Sequence, residues 1–125
     1  DLFFWGGPTQ VRLLAKHCET FGIGLSLHSD RELGIGTIAG AHFVAATPNL
    51  THAADSHYPD QTDDILTERL QFVDGCLELP KGPGLGVAID PEKLEKYHRL
   101  YLEVGDSVEF FDQRRPDWIP HLPLF

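Results

Sequence analysis

The sequence predicts an α/β fold, and three observations carry that prediction. Amphipathic helical patterns alternate with short apolar runs of the buried-strand kind. Two of those runs end in clusters of polar, chemistry-bearing residues, His28-Ser29-Asp30 and Asp55-Ser56-His57. A strong hairpin signal, Asp74-Gly75 between alternating apolar residues, follows them.

The elements run in this order. Gly6-Gly7-Pro8-Thr9 is a turn, with Thr9 placed to cap the next helix. From Val11 to Phe21 the apolar positions recur at spacings of three and four, which gives an amphipathic helix stopped by Gly22. Ile23 to Leu27 is a short buried strand that ends at His28. A second helix runs from about Glu32 to Thr47 and stops before Pro48. Its apolar residues cover most of the circumference, so it packs on more than one side. His52 to Asp55 is another short strand, and Tyr58 to Asp64 is a polar loop. Leu70 to Leu79 is the hairpin, and Lys81 to Gly86 is a rigid, glycine-rich connector. Asp90 caps a third helix, with Pro91 in its first turn, that reaches about Val104. The last twenty residues contain three prolines and read as irregular. Two or three parallel strands close no barrel, and an open parallel fragment exposes its faces and edges. The chain is therefore expected to be the tail of a larger fold.

Composition narrows the function. The net charge is −9, and Arg114-Arg115 is the nearest approach to a basic patch. Nucleic acid and anionic membranes are poor partners for such a chain, because phosphate binding needs clustered Lys and Arg. Hydrophobic residues make up 42% and charged residues 23%, the balance of an ordinary globular domain. No apolar run approaches the length of a membrane span. Cys18 and Cys76 have no metal-type spacing and read as free thiols of a reducing, cytoplasmic compartment.

Four constellations are candidates for chemistry. His28-Ser29-Asp30 stands at a strand terminus, where catalytic groups of parallel α/β folds gather, and His28 can exchange a proton near neutral pH. The competing reading is a surface-loop histidine beside two turn residues. Asp1 lies 27 residues before His28, the length of one helical crossover between neighbouring parallel strands. Strands ~5 Å apart bring two such side chains together, and a carboxylate on the far ring nitrogen fixes the tautomer of an imidazole. Alternatively Asp1 is an unpaired chain start. His28, His52, Asp55 and His57 are of metal-ligand type, but their spacing matches no metal motif, and seven histidines make chance neighbours common. Gly34-Ile35-Gly36-Thr37-Ile38-Ala39-Gly40 imitates a dinucleotide fingerprint with one residue too many; small residues for close helix–sheet packing explain it better. His42 reads as a satisfied core histidine, His17 and His98 as helix-surface residues, and His121 as part of the tail.

Taken together, these segments resemble the glucarate dehydratase branch of the enolase superfamily. Asp1-Leu2-Phe3-Phe4-Trp5-Gly6-Gly7 is similar to the stretch after the sixth barrel strand. His28-Ser29-Asp30 with Leu33-Gly34-Ile35 resembles the seventh strand end and its helix, and His42-Phe43-Val44-Ala45-Ala46 before Pro48 fits that helix. Asp55-Ser56-His57 resembles the eighth strand region, and Pro83-Gly84-Leu85-Gly86-Val87 with Asp90 resembles the C-terminal signature. The segments occur in the family's order and cover the chain to about Leu102.

The resemblance implies the C-terminal portion of a modified (β/α)7β TIM barrel, its last strands and helices, plus the C-terminal hairpin and helix of an enolase-type protein. Residues 1–69 would be the end of the barrel. Residues 70–125 would hold the hairpin, connector, helix and tail. It implies a Mg2+-dependent lyase, a hydro-lyase that removes the proton alpha to a carboxylate of an acid sugar and eliminates water. His28 would be the base, Asp1 its dyad partner, and Ser29, Asp30 and His57 substrate-binding residues. The Mg2+ ligands would lie upstream on a longer polypeptide, so the isolated chain would be inactive. A cytoplasmic homo-oligomer acting on a small acid sugar is the expected setting. An epimerase, a different sugar-acid dehydratase and a non-catalytic paralogue are the alternatives. One departure stands out: the family has Asn where this chain has Asp30, and an added carboxylate repels an anionic substrate unless it is paired. The family's late substrate-binding Arg has no clear counterpart, although Arg114 or Arg115 is available.

Overall fold

The computed structural model describes residues 1–105. Helix α1 spans Pro8–Thr20, α2 spans Gly34–Ala45 and α3 spans Pro91–Val104. Strands β1, Phe72–Val73, and β2, Cys76–Leu77, pair antiparallel in the one regular sheet among the described residues, with Phe72 opposite Leu77. The alternation of helices and extended segments keeps the α/β class. Arg114, Arg115 and His121 lie outside the described residues.

Helix α1 begins earlier than the periodicity predicts, and Thr9 is not its cap. Pro8 occupies the first helical position, where its fixed φ suits the helix and its missing N–H is no loss. Thr9 therefore sits inside the first turn, and Gly7 precedes the helix without a side-chain cap. Helix α2 is two residues shorter at each end than expected. The hairpin forms where Asp74-Gly75 places it. Asp74 has φ 50° and Gly75 φ 74°, the paired left-handed conformation of a tight two-residue turn, which glycine adopts without a Cβ penalty. Helix α3 matches its expectation. Asp90 Oδ1 accepts from the N–H groups of Glu92 (2.9 Å) and Lys93 (3.2 Å), Pro91 opens the helix, and Gly105 follows it at φ 71°.

The two expected strands are extended chain rather than regular strands. A single parallel bridge joins Leu25 to Leu50. Leu25 N–H donates to Asn49 O at 2.9 Å, and Thr51 N–H returns a bond to Leu25 O at 3.1 Å. An uninterrupted parallel ladder would next set Ala53 N–H on Leu27 O. Instead Asp55 N–H donates to Leu27 O at 3.2 Å, so the register slips by two residues. Ser26 Oγ fills the gap by donating to Ala53 O at 2.7 Å. The slip breaks the ladder and carries Asp55 forward to the end of the first segment, beside Ser29.

The core forms on this extended pair. Leu2, Val11 and Leu27 are buried together, with Ala39, Phe43, Val44 and Leu50 packed against them. Helix α2 thus contributes three of its residues to the packing, as its nearly all-apolar sequence requires. Ile38, Tyr58, Ile65 and Leu66 are buried as well. His42 Nε2 bonds Leu85 O at 3.1 Å, which ties α2 to the glycine-rich connector and gives the histidine the satisfied packing role expected of it. Phe4, Trp5 and Phe21 stand exposed. No helix among the described residues is long and apolar enough to cross a membrane.

Asp63 anchors α3 to the preceding loop. Its Oδ2 accepts from Tyr97 Oη at 2.5 Å and Lys96 Nζ at 3.1 Å, and its Oδ1 accepts from Asp64 N–H at 2.9 Å. The Tyr97 hydroxyl, then the Asp64 amide and the Lys96 ammonium, hold the Asp63 carboxyl well below the usual carboxylate range. A carboxyl with a depressed folded-state pKa contributes stability above its unfolded value and loses it as pH falls toward the folded value. The anchoring is therefore expected to be complete above about pH 4 and to weaken progressively below it. Thermal midpoints measured from pH 5 to 2 for the wild type and Asp63→Asn check this: the variant should show a shallower acid decline. Equal slopes would remove Asp63 from the acid response.

Candidate active site

The site lies where the first extended segment ends. Leu27 points into the core, and the alternation of an extended chain turns His28 outward, leaving its side chain 60% exposed. Asp1 faces it. Asp1 divides its carboxylate between two tasks. Oδ1 accepts from the backbone N–H groups of Phe3 (2.7 Å) and Phe4 (2.9 Å), and Oδ2 lies 3.3 Å from His28 Nδ1. The two amides fix the plane of the carboxylate, and the carboxylate can only accept, so His28 Nδ1 is the donor. Nε2 then carries the lone pair, on the edge of the ring away from Asp1. That is the arrangement of an oriented base.

The turn after His28 is held from both sides. Ser29 is buried. Its N–H donates to Asp55 Oδ1, the contact that the register slip makes available. Its hydroxyl donates to Glu32 Oε2 at 2.6 Å and lies 2.9 Å from Asp30 O. Glu32 Oε1 accepts Asp30 N–H at 3.0 Å. Ser29 Oγ is thus engaged within the protein. A cavity of about 450 Å³ opens beside this turn. His28, Ser29, Glu32, Asp55 and Ser56 form its polar side, while Phe3, the small residues of α2 and the hairpin residues Phe72 and Leu77 form its apolar side. Neither Asp30 nor His57 lines it.

His57 instead borders a second depression, of about 630 Å³, with Arg31, Asp60, Gln61 and Tyr97. Its Nδ1 is 3.9 Å from Asp60 Oδ2. The structure therefore brings Asp1, His28 and Ser29 together and sets His57 on a neighbouring surface. Among the described residues no group of three or more His, Cys, Asp and Glu side chains is arranged to hold a metal ion, so His28, His52, Asp55 and His57 do not form a ligand set. Cys18 and Cys76 are free thiols.

Two features leave little signal in the sequence. Glu32 stands at the expected start of a helix, yet both of its carboxylate oxygens serve the His28 turn; only its place four residues after the histidine hints at this. The segment read as a polar loop holds a buried pair, Tyr58 and Asp64. Asp64 Oδ1 accepts from Gly34 N–H (3.0 Å) and Ile65 N–H (2.7 Å), and Oδ2 accepts from Tyr58 Oη (2.7 Å). Tyr58 Oη in turn accepts from Leu70 N–H at 3.2 Å. Burial, and then the bond to Asp64, pushes the Tyr58 hydroxyl pKa above its ordinary value.

Comparison with known proteins identifies the family. A family model described as "Enolase C-terminal domain-like" matches residues 1–93. A probable glucarate dehydratase of Streptomyces coelicolor is 42% identical over 130 residues, covering 98% of this chain and 30% of the relative. Muconate cycloisomerase 1 of Pseudomonas putida is 35% identical over 95 residues, covering 75% of this chain and 25% of the relative. Among solved structures, an enolase of Pseudomonas fluorescens Pf0-1 with bound magnesium, potassium and tartrate superposes with a TM-score of 0.78 at 43% identity, covering 91% of this chain and 28% of that one. The chain thus spans about a quarter to a third of the length of the proteins it matches.

Proposed function

The chain belongs to the enolase C-terminal domain-like family, with that family's α/β-barrel type of fold, and we propose that it supplies the proton-transfer residues of an acid-sugar dehydratase. The observation that carries the proposal is the Asp1–His28 pair, with Nδ1 committed to a backbone-anchored carboxylate and Nε2 left for substrate. The probable glucarate dehydratase that matches along almost the whole chain supports the substrate class.

In this reading His28 Nε2 removes the proton alpha to the substrate carboxylate. The electron pair moves into an enediolate, and Asp1 stabilises the imidazolium that forms. The same imidazolium then returns its proton to the departing β-hydroxyl, which leaves as water. The resulting enol becomes a 2-keto acid. Asp55, through Ser29, holds the base at the strand end, and the substrate-binding roles of Ser29, Asp30 and His57 rest on the family resemblance alone, since neither Asp30 nor His57 lines the cavity beside His28. The proposal includes Mg2+, which is bound in the Pseudomonas fluorescens relative. The described residues do not fit as its ligands, so in this reading the ion is held by sequence beyond them. It extends to a cytoplasmic homo-oligomer, with the free thiols supporting the compartment.

The test is product analysis in heavy water, using the complete enzyme that contains this chain, Mg2+ and glucarate. A 2-keto acid with loss of water is expected. Deuterium exchange without loss of water would assign an epimerase. Neither exchange nor elimination across a panel of acid sugars would overturn the reading.

A further inference from the structure

We infer that Glu32 is a positioning residue for the Asp1–His28 pair, acting through the turn that follows the histidine and through Phe3. The inference rests on the reading of His28 as the base. Glu32 bonds the residues that follow His28 and shares the Gly36 surface of α2 with Phe3, which orients Asp1. On the His28 side, its two oxygens take Ser29 Oγ at 2.6 Å and Asp30 N–H at 3.0 Å, the two residues directly after the histidine. On the Asp1 side, Glu32 and Phe3 both crowd the space above Gly36. A Cβ at Gly36 would lie 2.8 Å from Glu32 Cβ and 3.2 Å from Phe3 Cζ, closer than side chains pack. Only a residue without a Cβ lets Glu32 and Phe3 settle onto α2 together. Phe3 is also one of the two residues whose N–H orients the Asp1 carboxylate.

Glu32 is itself held in place. Its carbonyl accepts from Gln61 Nε2 at 2.8 Å, and Thr37 Oγ1 lies 3.4 Å from the same oxygen. Its position is therefore set by α2 and by the loop near Tyr58, and it passes that position on to the catalytic pair. The separation of Asp1 from His28, 3.3 Å, is already longer than a charge-assisted hydrogen bond of about 2.7–2.9 Å, so a small shift of the turn breaks it.

The test compares Glu32→Ala, Glu32→Gln and Gly36→Ala with His28→Asn in the complete enzyme. Glu32→Ala should lower kcat about 10- to 100-fold, the usual cost of removing a group that orients a reacting residue. KM should stay within about twofold. Glu32→Gln keeps an oxygen for Asp30 N–H and turns its NH2 toward Ser29 Oγ, which can accept it while donating to Asp30 O, so it should fall between Ala and wild type with its thermal midpoint nearly unchanged. Gly36→Ala should show the same kcat loss, because it displaces both Glu32 and Phe3. Should Glu32→Ala fail to fold, Glu32→Gln decides: a kcat loss at unchanged KM supports the inference. Wild-type kcat in Glu32→Gln and Gly36→Ala, or a loss confined to KM, overturns it. If His28→Asn is also active, the failure belongs to the proposed function; if His28→Asn is inactive while the Glu32 variants are not, it belongs to Glu32 alone.

Discussion

Asp1→Asn is expected to lower kcat by about 10^4-fold, close to the loss from removing the base itself with His28→Asn. The argument is one of tautomers. The N–H groups of Phe3 and Phe4 both point at Oδ1, so the oxygen of an introduced amide takes that position. Its NH2 group is then forced to face His28 Nδ1 at the place where Oδ2 accepts. A donor there requires Nδ1 to be the acceptor, which moves the ring proton to Nε2, and a protonated Nε2 cannot abstract a proton. The same substitution logic in the serine-protease triad costs ~10^4 in kcat. Asp1→Ala should be less damaging than Asp1→Asn, because water at Nδ1 permits both tautomers. Steady-state kinetics of the three variants check this ranking. An Asp1→Asn enzyme within about tenfold of wild type would remove the carboxylate from the mechanism, since a positioned general base alone contributes at least 10^2-fold.

The second large effect is on stability. Asp64→Ala is expected to cost roughly 3–5 kcal/mol, because it strands three donors at once in the interior. Those donors are Gly34 N–H, Ile65 N–H and Tyr58 Oη, and the Asp64 side chain is their shared acceptor. Tyr58→Phe leaves the two backbone donors on Oδ1 paired but strands Leu70 N–H and Asp64 Oδ2, so it should cost about 2–3 kcal/mol. Urea denaturation of the two variants gives both numbers. If Tyr58→Phe proves as damaging as Asp64→Ala, the tyrosine ring, and not the carboxylate, organises this region. Its face under Arg69, 5.3 Å away, would then be the place to look.

The sequence was legible where local chemistry decides the outcome. Asp74-Gly75 dictates its turn through backbone conformations that few residue pairs tolerate. Asp90-Pro91 opens a helix because the cap and the fixed φ act within four residues. His28 and Asp1 could be paired from spacing and from resemblance, since the crossover between them has a standard length. Legibility failed where a partner comes from far along the chain. Thr9 looked like a cap, and Pro8 pre-empted it by starting the helix sooner. The two strands read correctly as extended, but the register slip after Leu25 depends on Leu27 O meeting the amide of Asp55 rather than that of Ala53, and no periodicity records that. Glu32 and Asp64 are invisible for the same reason: a carboxylate on a polar stretch looks solvated until the fold delivers its donors. The resemblance places His57 at the substrate site, whereas His57 and Asp60 of the adjoining turn border a different depression.

The long reach of Asp64 also bears on the order in which the chain becomes structured as it is made. Helix α2 has no side-chain cap of its own; Leu33 precedes it, and its first N–H waits for a carboxylate thirty residues downstream. A ribosome adding residues one at a time thus exposes an apolar helix with an unfinished start before its finishing group exists. Until Asp64 and Tyr58 emerge, α2 and its burden of Ile38, Phe43 and Val44 are a hazard for association with other nascent chains, and a natural target for a chaperone. Once they emerge, one side chain closes the start of the helix and ties it to the loop at residues 58–65 in a single step.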